Sequence, residues 1–482
     1  MTSIDEMRNK VYIRVDGSAE IGLGHLVRCM ALSQMLKEEF ELHFICREAP
    51  ESMLKEISES GIPFSIIDKE ELFLAMLTGR EIVVLDNYFF ETSYQRQIKE
   101  TGCQLVCIDD LHDKEFYADL VINQVPGTRP SDYQAQPYTQ YALGPDYALL
   151  RAPFLEEARK ERKPGQVSSV FICFGGADNR NLSTHTLGLV LKEPRFQKIT
   201  VVTGAAFQYA NELRPLVGSD SRVAHFSAVD ERKMLDLMKV SDLAIVPASG
   251  ILLEVMAAGC RVISGMYVEN QRYVFEEYKK AGFFESAEDF STQHLQNAIN
   301  RIFESPVSNR SLIDGMSGQR LLKTFRQLAL EPEVKLRAAT ASDLDTTFEW
   351  AANPKVRAFS FSQKAITFDE HSNRFLSKVS SPDCYYFIAE WKSEPIGSIR
   401  FDVSGNEAII SYLIDPQFHN HGLGIVILKK GMLSLRALNS NKVAKLAGFV
   451  MPGNIPSVKA FERLGYDRET EDGNFKYTKS LN

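Results

Sequence analysis

The chain has 482 residues, about three times the roughly 150 expected of one domain, so two or three folding units are expected and a single small binding module is excluded. Lys and Arg number 55 against 63 Asp and Glu, a formal net charge of −8; with no basic block, a dominant electrostatic grip on nucleic acid or anionic lipid has no support, and small-molecule substrates are favoured. Hydrophobic residues at 44% and charged residues at 24% exclude a disordered chain. The polar start MTSIDEMRNK and the lack of any apolar window near the eighteen or so residues of a span predict neither a signal peptide nor a membrane helix, hence a cytoplasmic protein. Seven cysteines, mostly inside apolar runs as at Cys46, Cys107 and Cys173, suit reduced core thiols. Cys103 and Cys107 lie in a strand-like stretch without a partner pair, so no metal site is expected there.

In chain order, β-rich runs alternate with helical stretches from residue 11 to about 325: VYIRV (11–15), LHFIC (42–46), IVVLD (82–86), LVCID (105–109), VFICF (170–174), ITVVT (199–203) and LAIVP (243–247). Continuous apolar strands separated by helices are what a parallel sheet covered on both faces requires, so this region reads as doubly wound α/β. Pro, Gly and polar residues concentrate between 125 and 168, which reads as a hinge between two lobes. A second, Pro-marked break at 330–345 leads into a helix beginning near Asp343 and then into antiparallel-looking strands, YYFIAEW (385–391), PIGSIRFDV (395–403) and EAIISYLID (407–415). The expected organisation is therefore two Rossmann-like lobes, 1–150 and 151–331, followed by an α+β domain over 334–482, each region with its own strands, helices and phosphate loop.

The first lobe carries IRVDGSAEIGLGHLVRCMALSQML (13–36). A strand ends at Asp16, glycines at 17, 22 and 24 allow a tight loop, and His25 opens an amphipathic helix whose positive end favours a neutral imidazole. His25 is thus placed to act as a base; a nucleotide-binding glycine loop followed by a capping or core histidine fits the same pattern. The second lobe adds FGGADNRN (174–181) and PASGILLEVMAAGCRVI (247–263). Gly175 and Gly176 form a loop, Ser249 and Gly250 open a helix whose free amides can hold a pyrophosphate, and Glu254 lies one turn inside, within reach of ribose hydroxyls. Asn270 and Gln271 follow the next strand, on the side that faces an interlobe cleft.

The run DGSAEIGLGHLVRC, with DNY (86–88), LGPDYALLR (143–151), FGGAD, SGILLEVMAAG (249–259) and ENQ (269–271), resembles the nucleotide-sugar hydrolase family of pseudaminic acid biosynthesis over about 1–325. That resemblance implies a glycosyltransferase-B-like fold and release of UDP from a 2,4-diacetamido-2,4,6-trideoxy-altropyranose by water. It makes His25 the base, Tyr88 and Asn270 sugar-side catalytic residues, and Asp16, Gly22, Gly24, Gly175, Gly176, Ser249, Gly250, Glu254 and Gln271 contacts to UDP or sugar.

The last region holds LIDPQFHNHGLGIVILKKGM (413–432) and GNIPSVKAFERLGYDRE (453–469). A glycine turn before a helix, followed by Asn-x-x-Ser, a helix and Leu-Gly-Tyr, resembles the GNAT superfamily of acetyltransferases over about 334–482. The resemblance implies an acetyl-CoA site at His419, Gly422, Leu423, Gly424, Asn454 and Ser457. His419 stands where the family has Arg or Gln, and Phe461 stands where a tyrosine often protonates the departing thiolate, leaving that proton to water or another residue. His419 and His421 as metal ligands are set aside, because their loop already has a use, and no metal is expected. The two resemblances imply consecutive steps: acetylation of the 4-amino group of UDP-4-amino-4,6-dideoxy-N-acetyl-beta-L-altrosamine from acetyl-CoA, then hydrolysis to UDP and free sugar. A UDP-sugar-dependent glycosyltransferase with an appended acetyltransferase, and a non-catalytic nucleotide-sugar sensor, are the rival readings.

Overall fold

A computed structural model describes residues 9–18, 22–161, 165–304, 312–419, 421–438 and 442–481. Strands β1 (Lys10–Val15), β2 (Glu41–Cys46), β3 (Phe64–Ile66), β4 (Ile82–Asp86), β5 (Gln104–Ile108), β7 (Leu120–Asn123) and β9 (Gln140–Leu143) make one seven-stranded sheet, with β6 (Glu115–Phe116) and β8 (Gln134–Ala135) paired separately. Its order is β3-β2-β1-β4-β5-β7-β9, and β3 through β5 are mutually parallel. A second sheet, ordered β12-β11-β10-β13-β14-β15, comprises β10 (Ser169–Cys173), β11 (Lys198–Thr203), β12 (Val223–Ser227), β13 (Leu243–Pro247), β14 (Arg261–Gly265) and β15 (Glu285–Ser286), all parallel. The central strands β4, β10 and β13 are buried along their whole length, as their unbroken apolar runs demand when helices cover both faces. These are two doubly wound, Rossmann-like sheets. In each the chain reverses its direction of growth beside the first strand, so β1 and β4, and likewise β10 and β13, present their carboxyl ends to a shared crevice.

The third sheet joins β16 (Val334–Ala338), β17 (Cys384–Trp391), β18 (Glu394–Ser404), β19 (Glu407–Ile414), β20 (Lys445–Val450), β21 (Asp467–Glu471) and β22 (Asn474–Ser480) in the order β16-β17-β18-β19-β20-β22-β21. It is antiparallel except between β19 and β20. The helices Leu423–Leu438 and Ile455–Arg463 bury one of its faces, with Ile399, Phe401, Val426, Leu428, Phe461 and Tyr477 in the core.

The chain divides into two compact units. One holds Met1–Asp113, Ile122–Asp132 and Ala142–Leu322; the other holds Lys114–Val121, Tyr133–Tyr141 and Lys323–Asn482. Both parallel sheets have strands in the first unit, while two short early segments belong to the acetyltransferase-like unit. Within that second unit Lys429, 1% exposed in its side chain, lies 2.8 Å from Asp119 and 2.9 Å from Glu331, and its ammonium stands 5.2 Å from the Tyr138 ring centroid. The stretch 125–168, expected as a hinge, contains β8, β9 and the helix Ala152–Ala158. Its prolines and polar residues mask these short elements, whose pairing is decided by distant partners and not by local pattern.

Candidate active sites

The first site forms where the loop after β1 meets the end of β4. Gly22 closes that loop, its amide donating to Ser18 O at 2.9 Å with φ at +89°, a conformation that suits glycine. The helix Gly24–Leu36 then begins, which puts the buried His25 in its first turn. Because β1 and β4 are neighbours, Asp86 at the last position of β4 comes under the imidazole: His25 Nδ1 and Asp86 Oδ1 are 2.7 Å apart. An ionised carboxylate only accepts, so Nδ1 carries the proton and Nε2 is left as the basic atom. Arg28, one helical turn on, donates from Nε and Nη2 to both Asp86 oxygens at 2.6 Å, and from Nη1 to Asp110 at 2.5 Å. Burial would raise the Asp86 carboxyl, but Arg28 and His25 outweigh it and hold it well below the usual carboxylate range. The Tyr88 ring meets His25 edge-on at 4.7 Å between centroids, and its hydroxyl donates to Asp110 at 3.4 Å. Burial, then the Asp110 charge, push that hydroxyl above the ordinary tyrosine range.

Asp16 is not free in this arrangement. Its carboxylate takes both Arg14 nitrogens at 2.7 and 2.8 Å and the amide of Arg47 at 2.6 Å, so it anchors the strand end. Gly24 has open space where a side chain would begin. Asp86 and Arg28 fall inside DNY and DGSAEIGLGHLVRC, two of the runs that carry the resemblance, with no role assigned to either from sequence, and Asp86 also ends the apolar run IVVLD; Asp110 carries no such signal.

On the second sheet the loop after β10 carries Gly175, at φ +83°, and Gly176. A side chain on Gly204 would come within 2.3 Å of the Gly176 carbonyl oxygen, so this loop and the end of β11 touch backbone to backbone. Asp178 accepts from the amides of Leu182 and Ser183, both at 2.8 Å, and caps the next helix. After β13, Ser249 precedes the helix Gly250–Ala257 without giving it a side-chain cap, and its carbonyl takes the Leu252 amide at 2.9 Å; a helix start of this kind can hold an anion. Glu254 is buried and receives Arg151 Nη2 at 2.8 Å. Gln271 is buried, its side-chain oxygen accepting from Tyr267 N at 3.1 Å, while Asn270 beside it is exposed.

In the second unit, β19 ends at Ile414 and a 3-10 turn, Pro416–Phe418, capped by Asp415 leads to His419. His419 Nε2 donates to Ile414 O at 3.1 Å, holding the loop to the strand. Gly422 adopts φ +78°, and a side chain there would strike Gln327 at 2.3 Å. Leu423 is buried and starts the helix Leu423–Leu438, with Gly424 in its first turn. Asn454 caps the helix Ile455–Arg463, its side chain accepting from Ser457 N at 3.3 Å. The glycine loop, Asn454 and Ser457 thus lie at the starts of two helices packed on one face of the sheet.

Residues 333–467 match the family described as Acetyltransferase (GNAT) domain. Over 285 residues, 57% of this chain and 97% of the relative, the sequence is 28% identical to a UDP-2,4-diacetamido-2,4,6-trideoxy-beta-L-altropyranose hydrolase of Campylobacter jejuni. It is 25% identical over 280 residues, 56% of this chain and 81% of the relative, to the spore coat polysaccharide biosynthesis protein SpsG of Bacillus subtilis. An uncharacterized protein of Methanocaldococcus jannaschii is 25% identical over 96% of this chain and 98% of its own length. A solved spermidine N-acetyltransferase from Vibrio cholerae, in complex with CoA and spermine, aligns with 31% of this chain and 96% of its own at 17% identity and a TM-score of 0.29. No helix among the described residues is long and apolar enough to cross a membrane. The chain thus resembles a fusion of a nucleotide-sugar hydrolase, over its amino-terminal half, with an acetyltransferase (GNAT) domain.

Proposed function

We propose that the protein is a cytoplasmic bifunctional enzyme of pseudaminic acid biosynthesis that acts twice on one UDP-amino sugar. Its acetyltransferase domain, 334–482, transfers the acetyl group of acetyl-CoA to the 4-amino group of UDP-4-amino-4,6-dideoxy-N-acetyl-beta-L-altrosamine. Its two Rossmann-like lobes, 1–150 and 151–331, then hydrolyse the diacetylated product to free sugar and UDP. The observation that carries the hydrolytic reading is the imidazole at the switch point of the first sheet, its Nδ1 fixed by Asp86 at 2.7 Å, which leaves Nε2 as its basic atom.

In this mechanism His25 Nε2 takes a proton from the water that attacks the anomeric carbon, and Asp86 stabilises the imidazolium that forms. Tyr88 and Asn270 orient the sugar. UDP departs into a cradle made by Gly175 and Gly176, the amides that follow Ser249 and Gly250, and the ribose-facing carboxylate of Glu254, with Gln271 beside it. Pre-set amides stabilise the charge that grows on the leaving pyrophosphate. Asp16, Gly22 and Gly24 shape the loop that brings His25 to the substrate. On the other unit, His419, Gly422, Leu423 and Gly424 hold the pyrophosphate of acetyl-CoA, and Asn454 and Ser457 meet its arm. The test is UDP release from the diacetylated sugar nucleotide with no acceptor present. Release by the native chain, lost in His25→Asn, is the expected outcome; release only when a second sugar or lipid is added would make the protein a glycosyltransferase.

A further inference from the structure

Acetyl transfer leaves a thiolate that needs a proton, and the helix position from which a tyrosine would supply it is Phe461. That ring is 2% exposed, stacks on Tyr477 at 5.0 Å, and lies so close to Gly448 that a side chain there would meet it at 2.5 Å. It has neither a proton nor room to be exchanged for a mobile group. We infer that Tyr412 is the proton donor to the departing sulfur and that Ser457 relays its proton from solvent, an assignment that rests on the acetyltransferase reading of this unit.

The register of the sheet supplies the geometry. β19 and β20 pair from Glu407 with Lys445 only as far as Ile410 with Gly448, although β19 continues to Ile414 and β20 to Val450. The sheet therefore splits beyond Ile410. The facing backbone groups of the two strands are unpaired with each other there, the kind of slot an extended amide-bearing arm can enter. Tyr412 lies two residues into the split, on the face of β19 that Ala408 and Ile410 share and that the two helices cover. Its hydroxyl is 2.8 Å from Ser457 Oγ, in the first turn of one helix. It is 3.7 Å from where a side chain on Gly424 would begin, in the first turn of the other. The hydroxyl thus stands between both helix starts at the mouth of the slot, and half-buried Ser457 connects it outward. Burial pushes Tyr412 up to about 12, so it is protonated when the thiolate forms.

The step balances. The amine nitrogen bonds to the thioester carbonyl carbon, the C–S bond breaks, and its electron pair stays on sulfur. Sulfur takes the Tyr412 proton, the tyrosinate takes the Ser457 hydroxyl proton, Ser457 is restored from water, and the amine nitrogen returns one proton to solvent. Amide and free CoA thiol result.

The test uses the full chain with acetyl-CoA and UDP-4-amino-4,6-dideoxy-N-acetyl-beta-L-altrosamine, following thiol release, while acetyl-CoA affinity is measured by titration. Tyr412→Phe should lower kcat for thiol release about 100-fold with acetyl-CoA Kd changed by no more than about twofold, the signature of a group used only in the transition state. Ser457→Ala, at a half-exposed site that tolerates a smaller side chain, should lower kcat by about 10-fold, and the double variant should be no slower than Tyr412→Phe, because the two act in series. Retained acetyl-CoA affinity serves as the folding control for this unit. An unchanged kcat in Tyr412→Phe, or a rise in Kd that matches the loss, overturns the assignment; a normal rate in Ser457→Ala overturns the relay. If the native chain releases UDP but no thiol, the acetyltransferase reading itself falls and takes the assignment with it.

Discussion

As the proposed base, His25 needs its ring held in one tautomer, and the buried Asp86 carboxylate 2.7 Å from Nδ1 is placed to hold it. His25→Asn should lower UDP release by about 100-fold to 10,000-fold and leave thiol release unchanged, the usual share of a general base. Asp86→Asn keeps the shape but allows the other tautomer, so its loss should approach that of His25→Asn, up to about 10,000-fold by analogy with other carboxylate-imidazole pairs. Asp86→Ala also strands Arg28 beside Asp110 alone, a cost of about 3 kcal/mol measurable by urea unfolding. The pH dependence has a definite sign. The Asp86 carboxyl sits below its unfolded value when folded, so its contribution is present above about pH 4 and is lost as pH falls through the folded value. The stability gap between native and Asp86→Asn proteins should therefore be flat from about pH 8 to 5 and shrink below about pH 4; a gap that opens on acidification would contradict the ion-pair assignment. His25 stands out in the sequence because a glycine loop and a helix start surround it, and the structure places it in the first turn of that helix. Asp86 stands in the sequence as the polar end of an apolar strand and the first residue of DNY, but what it touches depends on β4 lying beside β1, and that order is not written in local pattern.

At the level of elements, the two helix starts make separable demands. The helix after β13 has no side-chain cap, and Glu254 lies on it, paired with Arg151. Glu254→Ala should weaken UDP binding about tenfold by isothermal titration, the worth of one hydrogen bond to a charged group; unchanged affinity would reduce Glu254 to a partner of Arg151 and move the ribose elsewhere. A side chain begun at Gly424 would lie 3.3 Å from the Ile414 side chain. Alanine there is a tight but tolerable fit, whereas Gly424→Arg crowds the amides before the helix and should abolish acetyl-CoA binding with UDP binding intact. The seven apolar runs of the first 330 residues fall on strands β1, β2, β4, β5, β10, β11 and β13. The strands left unread, such as β7, β9 and β12, are short or carry polar residues, and distant neighbours decide their pairing.

For the whole molecule, the sequence pattern suggests modules joined end to end, with each half able to act alone. The fold qualifies that expectation, because Lys114–Val121 and Tyr133–Tyr141 are packed as part of the acetyltransferase-like unit. Both carboxylates that pair with buried Lys429, Asp119 and Glu331, lie before residue 334. A fragment of 334–482 would bury an ammonium with neither partner, a penalty of about 3–5 kcal/mol, and should be unfolded or aggregated by circular dichroism and gel filtration. Lys429→Met in the same fragment should recover part of the folded signal; a fragment as stable as the parent unit would show that these segments are dispensable. Sequence could not reveal this, since a lysine on an amphipathic helix reads as solvated until the helix is placed.

Whether one chain acetylates and then hydrolyses the same UDP-amino sugar is decided by mass spectrometry of the products from UDP-4-amino-4,6-dideoxy-N-acetyl-beta-L-altrosamine. With acetyl-CoA present the expected products are free diacetamido sugar, UDP and CoA in equal amounts, with the UDP-linked diacetamido sugar as a transient intermediate and little UDP when acetyl-CoA is withheld. UDP released from the free amine at the same rate without acetyl-CoA, or CoA formed with no acetylated sugar, would contradict the proposed function.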